Sequence, residues 1–146
     1  MIALDANILV YAHRRDMPWH DRAIASVLSL ANGAAPWAIP WPCIHEFLAV
    51  VTNFRLWSDP SPLAVAFDQV EAWRESGLLV LLSEADAHLG ELRTVAERGR
   101  ISGGQFHDAR IAAICIAHGV RELWTADRDF GRFPALTTRN PLLDEA

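Results

Sequence analysis

Apolar positions along the chain follow two rhythms: short solid runs, and longer stripes at helical spacing. The run Ile2 to Leu4 predicts a strand, with a helix from about Ile8. "HDRAIASVLSLANG" places Ala23, Val27, Leu28 and Leu30 on one helical face and stops at Gly33. "WAIPW" predicts a second strand, after which Pro42 opens a helix at its first position. That helix carries the stripe Ile44, Phe47, Leu48, Val51 and Phe54. "SDPSP" breaks the chain, and Ser61-Pro62 starts a helix over "LAVAFDQVEAW". "LLVLL", Leu78 to Leu82, predicts a buried strand. Ser83 and Asp86 have the spacing of a capping box for a helix ending near Gly99. After "SGG" a helix covers "QFHDARIAAICIAH" up to Gly119; "ELWT" is the last central strand and "LTTR" an edge strand. The order βααβααβααβ predicts an α/β fold, a three-layer α/β/α sandwich on a mainly parallel sheet of roughly four or five strands.

Composition narrows this picture. A chain of 146 residues, 51% apolar and 21% charged, suits one compact domain over residues 1–146. The longest wholly apolar run, Ile111 to Ala117, is too short to span a bilayer. The N-terminus has no basic leader and Asp5 interrupts its apolar stretch, so a cytoplasmic protein without signal peptide is expected. Cys43 and Cys115 sit in apolar surroundings and read as reduced, buried thiols; without CxxC spacing they make no zinc site. The net charge of −5 argues against broad electrostatic capture of nucleic acid, unless acids are gathered around metal ions. All 13 basic residues are arginines.

Several acids interrupt apolar segments. In a parallel α/β sheet, sites collect at the carboxyl ends of strands. Asp5 ends the first predicted strand; Asp127 and Asp129 follow the last central one. Glu46 falls in the first turns of the helix after "WAIPW", and Asp108 near the start of the helix before "ELWT", on a face with Ile111, Ala112 and Cys115. A helix dipole alone favours an acid at 108, a solvated face suits Glu46, and "ADRDF" reads equally as a polar turn. Asp5 has the weakest such explanation, because burying a carboxylate needs a compensating partner, proton or metal. Acids from four segments at one sheet edge would repel one another and raise each other's pKa values. A hard divalent cation such as Mg²⁺ relieves that repulsion, and paired ions hydrolyse phosphodiesters.

Other chemistries fit less well. Aspartyl-phosphate phosphatases and receiver domains need a lysine, which the chain lacks, and the phosphatases want a second acid where Asn7 stands. "DANIL" has no glycine to admit a pyrophosphate, and no G-x-S-x-G elbow is present. His45 and His107 adjoin key acids in sequence and so should point elsewhere, as orienting or surface groups.

"LDANILVYA", "HEFLAVVTN", "FHDARIAAICIAHG" and "LWTADRDFGRF" resemble, in order, the motifs of PIN-domain ribonucleases, most closely VapC toxins of type II toxin–antitoxin modules. The resemblance implies a Mg²⁺- or Mn²⁺-dependent endoribonuclease acting on structured RNA such as tRNA or rRNA. It implies that Asp5, Glu46, Asp108 and Asp127 are the four principal acids, with Asp129 accessory and Asn7 and Thr125 supporting them. It also implies a homodimer and a VapB antitoxin laying a helical tail over the active-site groove, where an acidic cleft suits an inserted arginine. Arg14, Arg15, Arg110, Arg128 and Arg132 lie near the motifs and are candidates to hold RNA phosphates, though each also reads as a surface charge. Trp57, beside "SDPSP", is a candidate for base stacking or for a partner. A catalytically weak PIN-like binding module and a DNA-directed nuclease of related fold are the alternatives.

Overall fold

A computed structural model describes residues 1–143. Its centre is a five-stranded, all-parallel sheet in the order β3-β2-β1-β4-β5. The strands are β1 (Ile2–Leu4), β2 (Trp37–Pro40), β3 (Leu79–Leu82), β4 (Glu122–Trp124) and β5 (Thr138–Arg139). Six α-helices connect and cover them: α1 (Ala6–His13), α2 (His20–Ala31), α3 (Trp41–Val51), α4 (Leu63–Arg74), α5 (His88–Gly99) and α6 (Phe106–Ala117). Helix α1 packs on α2 and α3, α3 on α4, and α5 on α6. Helices in two packed groups around one sheet give the α/β/α sandwich that the alternation of runs and stripes predicts.

The central strands are short and apolar because both sheet faces are covered. Ala3, Leu4, Trp37, Ala38, Ile39 and Leu123 are fully buried. Register pairs Ile2 with Trp37 on one side and with Glu122 on the other, so β1 is the middle of the sheet. From β1 the chain builds outward to β2 and β3, then returns through α5 and α6 to place β4 on the opposite side of β1. The order therefore reverses between β1 and β4, and the crevice outside their carboxyl ends is where such sheets hold ligands.

Four local expectations need correction. The strand at Leu79–Leu82 is an edge strand, bonded to β2 alone, so Val80 is 41% exposed instead of buried. The helical stripe ends before Phe54, which is 75% exposed. Thr52 turns its hydroxyl back to the Leu48 carbonyl and Asn53 accepts from the Arg55 N–H, and these side-chain bonds compete with the next helical turn. Leu28 faces outward on α2. The capping box lies not at Ser83 but at Ser102, whose partner Gln105 accepts from the Ser102 N–H across a short 3₁₀ turn leading into α6. Helix α5 starts at His88 without a side-chain cap.

Gly99 closes α5 for want of space. A Cβ there would lie 3.1 Å from Ile101 and 3.2 Å from Phe133, and the left-handed cap conformation falls on Arg100 instead. No helix among the described residues is long and apolar enough to cross a membrane.

Candidate active site

The crevice between β1 and β4 is a cleft of about 260 Å³ whose lining includes Asp5, Asn7, Glu46, Asp108 and Asp127. Asp5 is the N-cap of α1, only 4% exposed, and is the most constrained of these groups. Its Oδ1 accepts from the Ala6 N–H at 2.7 Å and from the Cys43 thiol at 3.5 Å. Its Oδ2 accepts from the Thr125 hydroxyl at 2.7 Å and from the Asn7 amide at 3.2 Å. Thr125, 3% exposed at the end of β4, also accepts from Asn7 and from the Asp127 N–H. The Asn7 carbonyl in turn accepts from the Ala126 N–H. One polar network thus ties the ends of the two central strands together and fixes where Asp5 and Asp127 stand.

The other acids arrive from separate elements. Asp108 projects from the first turn of α6, and Asp127 caps the 3₁₀ turn Arg128–Arg132 by accepting from the Asp129 N–H at 2.8 Å. Carboxylate oxygens of Asp108, Asp127 and Asp129 lie within 4.8 Å of one another. Glu46, on α3, stands at the solvent-open mouth of the same cleft. All five predicted acids therefore occupy one region: three converge closely, Asp5 anchors the floor and Glu46 the rim.

The electrostatics register this crowding. Burial, and then the charges of Asp127, Asp5 and Asp129, push the Asp108 carboxyl up to about 6. Burial and the charges of Asp5, Asp108 and Asp127 raise Glu46 in the same way, and burial raises Asp5 against its stabilising hydrogen bonds. His107 acts in the opposite sense on Glu46 and Asp108 but as the smallest influence. The ion pairs of the described residues, Arg14–Asp16, Arg74–Glu71, Arg93–Glu97 and Arg110–Glu84, engage none of the five acids. An all-oxygen donor set, convergent and with no ion-pair partner among the described residues, fits a hard divalent cation. The cysteines fit no such role, since burial holds Cys43 well above its ordinary pKa and Cys115 at about 12.

A pH dependence follows, with its sign. Between pH 3.8 and about 6 the folded protein holds a proton on Asp108 that the unfolded chain has released, so stability falls as pH rises through that window. In chelator, the melting temperatures of the wild type and Asp108→Asn should nearly coincide at about pH 3, below both values, and separate, the variant higher, as pH rises from 3.8 to about 6, the gap staying constant above that. Thermal unfolding across the range reads the gap directly.

The predicted arginines divide. Arg14 is not available to phosphate: it is 8% exposed, bonds both oxygens of Asp16, donates to the Asp59 carbonyl at 2.8 Å and stacks on Trp57 at 4.0 Å. Arg110 is paired with Glu84 at 2.6 Å. Arg15, Arg128 and Arg132 are exposed, as are His45 and His107. Residues that sequence reasoning passed over also line the cleft: Val10, Tyr11, Met17 and Val50, joined by Trp57. Helical spacing held part of that signal, since Val10 and Tyr11 lie three and four residues beyond Asn7 and Val50 lies four beyond Glu46. Cys43 as a neighbour of Asp5 had no sequence signal.

Comparison with known proteins agrees with this geometry. The PIN domain family model matches residues 2–136. Ribonuclease VapC31 of Mycobacterium tuberculosis is 34% identical over 98% of this chain and 100% of its own length. Ribonuclease VapC43 of the same organism is 32% identical, covering 97% of this chain and 96% of its own. Among solved structures, VapBC2 from Rickettsia felis, bound to a DNA fragment from its promoter, superimposes with a TM-score of 0.66 at 25% identity, over 96% of this chain and 98% of that one. The chain therefore belongs to the PIN-domain family, within the group of VapC ribonucleases.

Proposed function

We propose that this chain is a divalent-metal-dependent endoribonuclease toxin, acting in the cytoplasm on structured RNA such as tRNA or rRNA and silenced by a VapB-type antitoxin. The observation that carries it is the convergence of Asp108, Asp127 and Asp129 oxygens within 4.8 Å beside the buried Asp5, without a protein counter-ion among the described residues. The names of its relatives VapC31 and VapC43 support RNA as the substrate, and the VapBC2 likeness supports an antitoxin partner.

Asp5, Asp108, Asp127 and Asp129 would hold Mg²⁺ or Mn²⁺, with Glu46 at the rim. The ion, when bound, supplies charge neutralisation at the phosphate and lowers the pKa of water. Thr125 and Asn7 keep the Asp5 carboxylate in one orientation, as outer partners of metal ligands do. Glu46, raised in pKa and open to solvent, would take the proton of the attacking water. Hydrolysis forms a bond from water oxygen to phosphorus and breaks one P–O bond, and the departing oxygen receives a proton. Of the five candidate arginines, Arg15, Arg128 and Arg132 are exposed and would hold flanking phosphates. Exposed Phe54, Leu56, Leu63 and Phe67, on α4 and the segment before it, offer an apolar surface for the antitoxin.

Incubating purified protein with RNA in Mg²⁺ or in excess EDTA tests the reading. Cleavage should be confined to the Mg²⁺ sample; equal degradation in both would contradict it.

A further inference from the structure

The cleft has two chemically different walls. One carries the carboxylates; the other is formed by Val10, Tyr11, Met17, Val50 and Trp57. Trp57 is the organised feature of the second wall. Its indole N–H donates to the Val50 carbonyl at 2.8 Å, so the ring lines the cleft with its one donor already spent. The Arg14 guanidinium stacks on its ring, itself clamped by Asp16 and the Asp59 carbonyl, so the indole is held in place by a buried cation. A ring fixed in this way pays little ordering entropy when a flat ligand stacks on it.

We infer that this wall is a nucleobase subsite, with Trp57 as the residue that stacks the base next to the scissile phosphate. The inference rests on the nuclease reading of the neighbouring acids. Both walls line one cleft of about 260 Å³, just below the about 300–1,000 Å³ of small-ligand sites, which suits a single nucleotide unit. A phosphate drawn to the acid wall by a shared cation brings its own nucleoside beside the apolar wall, and every base has a π face to present. Arg14 acts through Trp57 as a positioning residue. The stretch from Asn53 to Ala72, which carries no recognisable motif, thereby contributes the part of the site that would differ between relatives.

The test is an NMR titration in Mg²⁺ with the four nucleoside monophosphates and with ribose 5-phosphate, which lacks the base. Two signals are read apart: the Trp57 indole resonance for the base, and the Asp108 and Asp127 amides for the phosphate. At least one nucleotide should bind about 10-fold more tightly than ribose 5-phosphate and shift the Trp57 indole. Trp57→Ala should erase that advantage while leaving ribose 5-phosphate affinity unchanged, and Trp57→Phe should retain part of it. If Trp57→Ala does not fold, Trp57→Phe and the wild-type comparison still decide. Nucleotides binding no better than ribose 5-phosphate would overturn the subsite and leave the wall to an apolar side chain of a protein partner. Amides of Asp108 and Asp127 that ignore phosphate, with the Trp57 indole still responding to the base, would instead strike the metal reading alone.

Discussion

Asp108→Asn should abolish RNA cleavage and, at neutral pH, make the metal-free protein more stable. Under the proposed metal-dependent mechanism, loss of a ligand that shares the cation would remove several kcal/mol of transition-state stabilisation, a rate loss of about 10³-fold or more. The stability effect has the opposite sign because the carboxylate is in electrostatic conflict with Asp127, Asp5 and Asp129. A rise from 3.8 to about 6 corresponds to about 3 kcal/mol at full weight. Asp108 is only partly buried, and solvent screening reduces this to about 1 kcal/mol. In a chain of this size that is about 2–4 °C in melting temperature. Cleavage assays and thermal unfolding in chelator check both halves. A variant that loses activity by unfolding, or that gains no stability, would show that the acids are not in conflict.

Asp5→Ala should lose activity to a similar degree but fall in stability. Unlike Asp108, Asp5 is wired into the fold: it caps α1 and accepts from Thr125, Ala6, Asn7 and Cys43. Removing it strands the Thr125 hydroxyl and the Ala6 N–H, at about 1–3 kcal/mol for buried donors and about 0.5–2 kcal/mol for a lost N-cap. Relief of a buried carboxylate offsets part of this, because burial raises its pKa in the folded state. The net expectation is a loss of about 2 kcal/mol, or roughly 4–8 °C. Opposite stability effects from two acids in one cleft separate a residue that builds the site from one that the site strains.

This division also explains what could be read from the sequence. Asp5 and Asp108 were legible because a carboxylate amid apolar core positions demands a reason, and the alternation of strands and helices sends both to one sheet edge. The solid run at Leu79–Leu82 could not reveal that it has one neighbour, since position in a sheet is set by topology and not by local composition. Phe54 kept the helical spacing, but Thr52 and Asn53 spend their side chains on the backbone and end the helix first. The role of Arg14 was the least legible. It depends on a loop between α3 and α4 folding back onto the end of α1, where Arg14 meets the Asp59 carbonyl across 45 residues of chain. A count of arginines near motifs suggests phosphate contacts; only the packing shows that this one braces a tryptophan.

Function in this cleft turns on whether the carboxylates share a cation. Calorimetric titration of Mn²⁺ into metal-free protein at about pH 7.5, where Asp108 is ionised, measures this without reference to any RNA. The wild type should bind, and Asp108→Asn should lose binding while remaining folded. No binding by the wild type, or equal binding by the variant, would contradict it.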